Sequence, residues 1–217
     1  MDDAIFLSAS VPDPKRSPEY AKTADVVSIT AAVSALVHVT LGRRMLVWGG
    51  HPAITPMIWA VAEELGVNYG RWVRLYQSRF FKDEFPEDSA RFQNVIYTSA
   101  VPNDRDKSLR KMRKQMLSEN RFVAGVFIGG MAGIVDEFDL FHKLQPNAVV
   151  VPVTSTGGAV LKVAKRLGKI APDLQNDLDY VSLFHRYLKI SVHEERYQQP
   201  EEQPAEIALR YWRYPKS

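Results

Sequence analysis

The 217-residue sequence contains no cysteine. Disulfides, thiolate metal sites and cysteine nucleophiles are thereby excluded, and the composition suits a reducing compartment. No apolar run approaches the roughly 20 residues that cross a bilayer. The acidic Asp2-Asp3 start has neither the basic flank nor the apolar centre of a signal peptide. A cytoplasmic location with no membrane partner is the expectation. The histidines, His38, His51, His142, His185 and His193, show no metal-ligand spacing, so neither a metal nor another cofactor is expected. A GxSxG elbow, a P-loop and a GxGxxG fingerprint are also missing, which sets aside esterases, NTPases and dehydrogenases. Charge of one sign is scarce as well: 28 Lys and Arg face 25 Asp and Glu, and a net charge of +3 does not by itself call for nucleic acid.

What is present is one pattern, used three times. Residues 45–48 read as a buried strand, run into Gly49, Gly50 and His51, and are followed by Met57, Ile58, Val61 and Leu65 at helical spacing up to Gly66. Residues 126–141, VFIGGMAGIVDEFDLF, repeat the arrangement. An apolar strand breaks at Gly129 and Gly130, and helical spacing resumes after Gly133 at Ile134, Phe138 and Phe141. The third case is the apolar run at 148–153, which exits into Thr154, Ser155, Thr156, Gly157 and Gly158 before a helix carrying Val160, Leu161, Val163, Ala164 and Leu167. A first strand over residues 4–8 ends in Ser8, Ser10 and the Pro12/Pro14 turn, and a helix over residues 26–41 is capped by Thr23 or Asp25. Strands alternating with helices predict a doubly wound α/β domain with a mostly parallel sheet. The loops at the carboxyl ends of such strands share one edge, so the glycine turns and the Ser8/Ser10 loop can converge on one crevice. There the backbone can approach a ligand closely and a helix start offers free N–H groups to an anion. Asp136, Glu137 and Asp139, placed in and just past the first helical turn, would suit sugar hydroxyls better than phosphate.

The remaining segments read less sharply. Residues 72–76 and 95–97 are strands, and 77–86 is a loop. Residues 105–119 form an amphipathic helix with a basic side, Lys107, Arg110, Lys111, Arg113 and Lys114, for which a solvated face is the common meaning. Residues 180–188 form a further helix. The single domain expected over residues 1–190 is followed by an appendage over 191–217: a polar linker at 193–204, then a docking helix containing Ile207, Leu209, Tyr211, Trp212 and Tyr214.

These motifs, taken in order, resemble the SLOG superfamily. This Rossmann-like group includes the Lonely Guy phosphoribohydrolases, the DprA DNA-processing proteins, and the nucleotide-sensing domains of TRPM channels and bacterial anti-phage effectors. Leu46-Val47-Trp48-Gly49-Gly50 is similar to the Gly-rich turn of Lonely Guy proteins, and Met112-Arg113-Lys114-Gln115-Met116 to their Arg-Lys helix. Their signature Pro-Gly-Gly-x-Gly-Thr-x-x-Glu is similar to Ile128 through Glu137 with one extra residue. The resemblance implies that Arg113 and Glu137 stand at the family's arginine and catalytic glutamate. Ile128 replaces the proline and Ile134 the threonine, departures that weigh against hydrolysis more than against binding. IFLSASVP, WGGHPAITP, FIGGM and PVTSTGGA look closest to the SLOG variety associated with TIR domains in bacterial conflict systems. A homodimer and a separate TIR-type effector are the partners that this resemblance implies.

Three functions fit. The first is binding of a nucleotide-derived ligand (a nucleotide, a cyclic nucleotide or an ADP-ribose derivative) by Ser8, Ser10, Gly49, Gly50, His51, Arg113, Gly129, Gly130, Met131, Gly133, Glu137 and the 154–157 loop. For His51, between Gly50 and Pro52, a plain turn residue is the somewhat better reading. The second is cleavage of an N-glycosidic bond, with Glu137 and Arg113 as catalytic residues and no metal. The third is single-stranded DNA binding through the basic helix and aromatics such as Phe80, Phe81 and Tyr97, which the acidic set near Glu137 disfavours.

Overall fold

Every strand of the sheet runs in the same direction. The computed structural model describes residues 4–66, 68–85 and 87–212; the Asp2-Asp3 start, Pro86 and Tyr214 lie outside the described residues. In chain order the elements are β1 (Ala4–Ser10), α1 (Pro18–Ala21), α2 (Val26–Thr40), β2 (Leu46–Trp48), α3 (Thr55–Leu65), α4 (Tyr69–Trp72), β3 (Val73–Ser78) and β4 (Asn94–Thr98). There follow α5 (Arg105–Glu119), β5 (Phe122–Gly129), α6 (Ala132–Leu144), β6 (Val149–Val153), α7 (Val160–Leu167), α8 (Asp173–Asn176) and α9 (Tyr180–Leu188). The strand order is β4-β3-β2-β1-β5-β6, and every pairing is parallel. After β4 the chain returns to the centre and pairs β5 against the free side of β1, so strand order reverses between these two.

Residue alternation explains the three layers. Ile5 and Leu7 of β1, Trp48 of β2 and Val126 and Ile128 of β5 point to one face, where Ile29, Val33 and Leu36 of α2, Ile58 of α3 and Phe184 of α9 cover them. Phe6, Val47 and Phe127 point to the other, under Met112 and Met116 of α5, Phe138 and Phe141 of α6 and Val163 of α7. Each of these aliphatic side chains is fully buried or nearly so and contributes about 1.5–3 kcal/mol relative to exposure. The doubly wound parallel sheet expected from the strand–helix alternation is the observed one.

Boundaries differ from the expected ones where burial outruns the apolar pattern. β3 extends through Gln77 and Ser78, which are polar yet buried, and the expected loop continues as a 3-10 helix, Arg79–Glu84. Asp25, not Thr23, caps α2, accepting from the amides of Val27 and Ser28 at 2.9 and 3.2 Å. α6 starts at Ala132, before Gly133 rather than after it, because the Ile134 amide bonds back to Met131 O at 2.9 Å. Asp136 and Glu137 therefore belong to its second turn.

The segment expected as a polar linker is bonded along the amino ends of the strands. Tyr197 N donates to Gly42 O at 2.9 Å, Trp72 Nε1 donates to Tyr197 O at 2.9 Å, and Gln203 Nε2 donates to Arg43 O at 2.9 Å. Glu194 is 2% exposed and is gripped by the Arg44 guanidinium, with Arg43 Nε on its carbonyl at 2.7 Å. Beyond it the appendage is helical as two short 3-10 segments, Pro200–Glu202 and Ile207–Arg210, and Leu209 and Trp212 remain exposed. Removing one partner of a buried ion pair strands the other charge. Glu194→Ala is accordingly expected to lower the unfolding free energy by about 3 kcal/mol, read from urea denaturation midpoints.

Candidate functional site

β1 and β5 stay paired to their carboxyl ends, Ser10 opposite Gly129, and several of the candidate residues gather beside this reversal of strand order. Three loops meet by main-chain and hydroxyl hydrogen bonds. Gly130 N donates to Ser10 O at 2.8 Å, Ala159 N donates to Gly130 O at 2.9 Å, and Gly129 N donates to Thr156 Oγ1 at 2.9 Å. The Thr156 hydroxyl in turn donates to Val153 O at 2.6 Å. Gly130 has φ +82°, and a Cβ there would lie 2.0 Å from Ile134 Cδ1, so only glycine makes this turn beneath α6.

Over this base sits a polar cluster from three elements. Ser8 Oγ, on β1, donates to Glu137 Oε2 on α6 at 2.5 Å. Arg113 Nε, on α5, donates to Glu137 Oε1 at 3.0 Å, and Arg113 Nη1 reaches Asp136 Oδ2 at 3.4 Å. The Arg113 and Glu137 side chains are only 13% and 15% exposed. Both carboxylate oxygens are thus served by the protein. The position of α6 is set by aromatic packing: Phe141 stacks on Phe6 at 5.4 Å between ring centres, and Phe138 meets Phe127 edge-on at 5.7 Å. Gly133 matters for its missing side chain, since a Cβ would lie 2.5 Å from Arg113 Nη2. A Cβ at Gly49 would stand 3.2 Å from Met112 Cε, 3.8 Å from Met116 Cε and 4.0 Å from Glu137 Oε1, so the β2 turn packs under the methionines of α5 at the border of the cluster. The start of α6 at Met131 carries no side-chain cap, so the first amides of the helix are open to an anion.

Other expected residues are placed differently. Thr154 and Ser155 turn away from the crevice: the Thr154 hydroxyl donates to Leu174 O at 3.0 Å, and Ser155 Oγ lies 3.1 Å from Tyr180 OH. Of the 154–157 loop, Thr156 and Gly157 face inward, Gly157 pressed against the carbonyl of Thr23. Gly50 and His51 lie on the β3 side. Burial first, then the Arg16 guanidinium, hold the His51 imidazole below its ordinary pKa. It is therefore neutral at pH 7, and its Nδ1 accepts from Ala53 N at 3.2 Å, the local turn bond of the plainer reading. On α5, Lys107, Arg110, Lys111 and Lys114 are exposed, while Arg113 alone of the basic set is drawn inward. Among the described residues no group of His, Asp and Glu is arranged to hold a metal ion, and no helix is long and apolar enough to cross a membrane.

Two participants were not expected at the site from the sequence, which offers Thr23 only as a helix cap and Gln77 only as the start of a loop. Thr23 Oγ1 accepts from Gly158 N at 3.2 Å, joining the loop before α2 to the third glycine turn. Gln77 stands buried beside Gly50, on a strand that outlasts its apolar pattern. A shallow depression of about 320 Å³ against the β6 edge, bounded by His142, Pro152, Leu167 and Tyr187, includes none of these residues.

Thr156 is the keystone of the base, being fully buried with its hydroxyl both accepting and donating. Thr156→Val leaves the Gly129 amide unsatisfied and is expected to cost about 2 kcal/mol in urea unfolding, whereas Thr156→Ser keeps the hydroxyl and costs clearly less.

Residues 19–188 match the SLOG cluster3 family. No curated protein matches the chain. The matched span takes in the β2 turn, the Arg113 helix, the Gly129-Gly130 turn with Glu137, and the 154–157 loop, and leaves only β1 of the site outside it. Most of the chain is covered, and with it every sheet strand but one, so the chain belongs to the SLOG superfamily, in its cluster3 family.

Proposed function

We propose that the chain binds a nucleotide-derived ligand, such as a nucleotide, a cyclic nucleotide or an ADP-ribose derivative, in the crevice between β1 and β5. Membership of the SLOG superfamily supports a nucleotide-related function. The observation that carries the finer reading is the Ser8–Glu137–Arg113 cluster beside an uncapped helix start. A carboxylate accepts hydrogen bonds from ribose hydroxyls, and helix-start amides with a guanidinium beside them suit phosphate oxygens. One compact site thus offers acceptors and donors in the order that a ribose phosphate requires.

Glycosidic cleavage is the second reading, favoured by the same arginine–glutamate proximity. A general base must reach a water, and both oxygens of Glu137 are already engaged, by Ser8 at 2.5 Å and by Arg113 at 3.0 Å. Catalysis would require one of those bonds to open, whereas binding needs only an exchange of partners. Incubation with nucleoside monophosphates and NAD separates the two: a binding protein returns its ligand intact, and release of free base would decide for the hydrolase.

Native mass spectrometry of freshly purified protein is expected to show a nucleotide-sized adduct. Hydrogen bonds to a charged partner are worth about 1.5–3 kcal/mol, so Arg113→Ala and Glu137→Ala should each weaken that ligand roughly 10- to 100-fold in calorimetry while the fold persists by circular dichroism. Full affinity in both variants would remove the cluster from the site.

A further inference from the structure

The two edges of the sheet are finished differently. β6 carries Pro152, which has no N–H to offer a further strand, and Lys169, Ile170 and Leu174 line the depression beside it. β4 has neither device. Its sequence, Asn94-Val95-Ile96-Tyr97-Thr98, holds no proline and no charge and is rich in β-branched and aromatic residues. Among the described residues its main chain is hydrogen-bonded to β3 alone, residues 94–96 are half-buried and Tyr97 is exposed. The outer row of N–H and C=O groups along β4 is thus open to another strand.

The surroundings of this edge specify what can add to it. Val95 packs into the layer of α2 and α3 and Ile96 into the layer of α5, so alternation turns Tyr97 to the first side. There Phe85 meets the Tyr97 ring at 5.7 Å between ring centres, and the Arg79 guanidinium stands 5.9 Å from the ring centre. The other side is basic. Arg113 leaves α5 toward Glu137 of α6, whereas Lys111, on the opposite flank of that helix, donates to the hydroxyl of Ser99, the residue that follows β4. Lys107 and Lys114 stand about one turn before and after Lys111, and all three are exposed. Among the described residues only Lys107 of the three is paired with a carboxylate, Asp104 at 2.9 Å.

We propose that β4 is a docking edge for an extended segment of a partner protein, in which acidic residues alternate with aromatic or branched apolar ones. A strand laid along β4 sends successive side chains to opposite sides. Carboxylates on the α5 side meet Lys107, Lys111 and Lys114, and apolar groups on the other side meet Tyr97 and Phe85. Asp83, Glu84 and Glu87 neighbour Phe85 in the chain, so carboxylates suit one side of the added strand and not both. A second copy of this chain fits the edge poorly. Antiparallel pairing of β4 with its own copy sets two α5 helices on one face of a joined sheet, lysines toward lysines.

Fluorescence anisotropy on the full chain with a labelled, end-blocked peptide, Glu-Val-Glu-Tyr-Glu-Val-Glu, tests the assignment. The peptide is expected to bind, and N-methylation of its three central amides, which removes donors and leaves the side chains, should weaken it about tenfold. Exchange of its glutamates for lysines should weaken it about as much, and so should Lys111→Glu/Lys114→Glu in the protein. Combining the lysine peptide with the charge-reversed protein should restore binding, a rescue that damage to the fold would not produce. Absence of binding, equal binding of the N-methylated peptide, or indifference to the charge reversals overturns the proposal. Tighter binding of an oligothymidylate than of the peptide overturns it in favour of nucleic acid, and a dimer in sedimentation that the peptide dissociates overturns it in favour of a second copy.

Discussion

The parallel pairing of β1 with β5 constrains everything else in this molecule. Its register runs from Ala4 opposite Phe122 to Ser10 opposite Gly129. Three strands, β2, β3 and β4, grow away from β1 on one side before the chain returns to its other side, and α2 and α6 leave β1 and β5 toward opposite faces. The connections that leave these two strand ends depart toward opposite faces, the switch point at which sheets of this kind offer a place for a ligand. Ser8 and Glu137, 129 residues apart in sequence, meet because this one register holds.

How much of this was legible in the sequence depended on which physical signal each element carried. The strands of the centre announce themselves by β-branched and aromatic runs, and the helices by spacing, so the α/β class and most boundaries could be read directly. Arg113 and Glu137 could be named through the family resemblance, and the structure brings them into contact. Gln77 was invisible because a polar residue after an apolar strand looks like the start of a loop, and only the pairing of β3 with β4 through Thr98 reveals the strand continuing. Thr154 and Ser155 were read as a pair with Thr156, yet consecutive residues of a 3-10 turn point in different directions and only one faces the crevice. The C-terminal appendage looked like a linker because its composition is polar. Its burial comes from Glu194 meeting arginines some 150 residues earlier, an attraction that no local pattern encodes.

The cluster at the crevice is satisfied within the protein. Ser8 and Arg113 complete the hydrogen bonding of Glu137, so the carboxylate is held in position at low exposure. Under the proposed nucleotide-binding function, a ligand hydroxyl arriving at Glu137 would exchange one good hydrogen bond for another, and net affinity would have to come from the helix-start amides and the guanidinium around that exchange. Specificity in such a site lies in which exchanges leave nothing unpaired.

The Gly129-Gly130 peptide region is anchored on two sides, by Ser10 O and by Thr156 with the Ala159 amide. Three loops knotted at one point cannot swing independently, so no single one of them can act as a hinged door. The entropy of ordering these loops is lost once, during folding, so a ligand bound as proposed would not have to order them again.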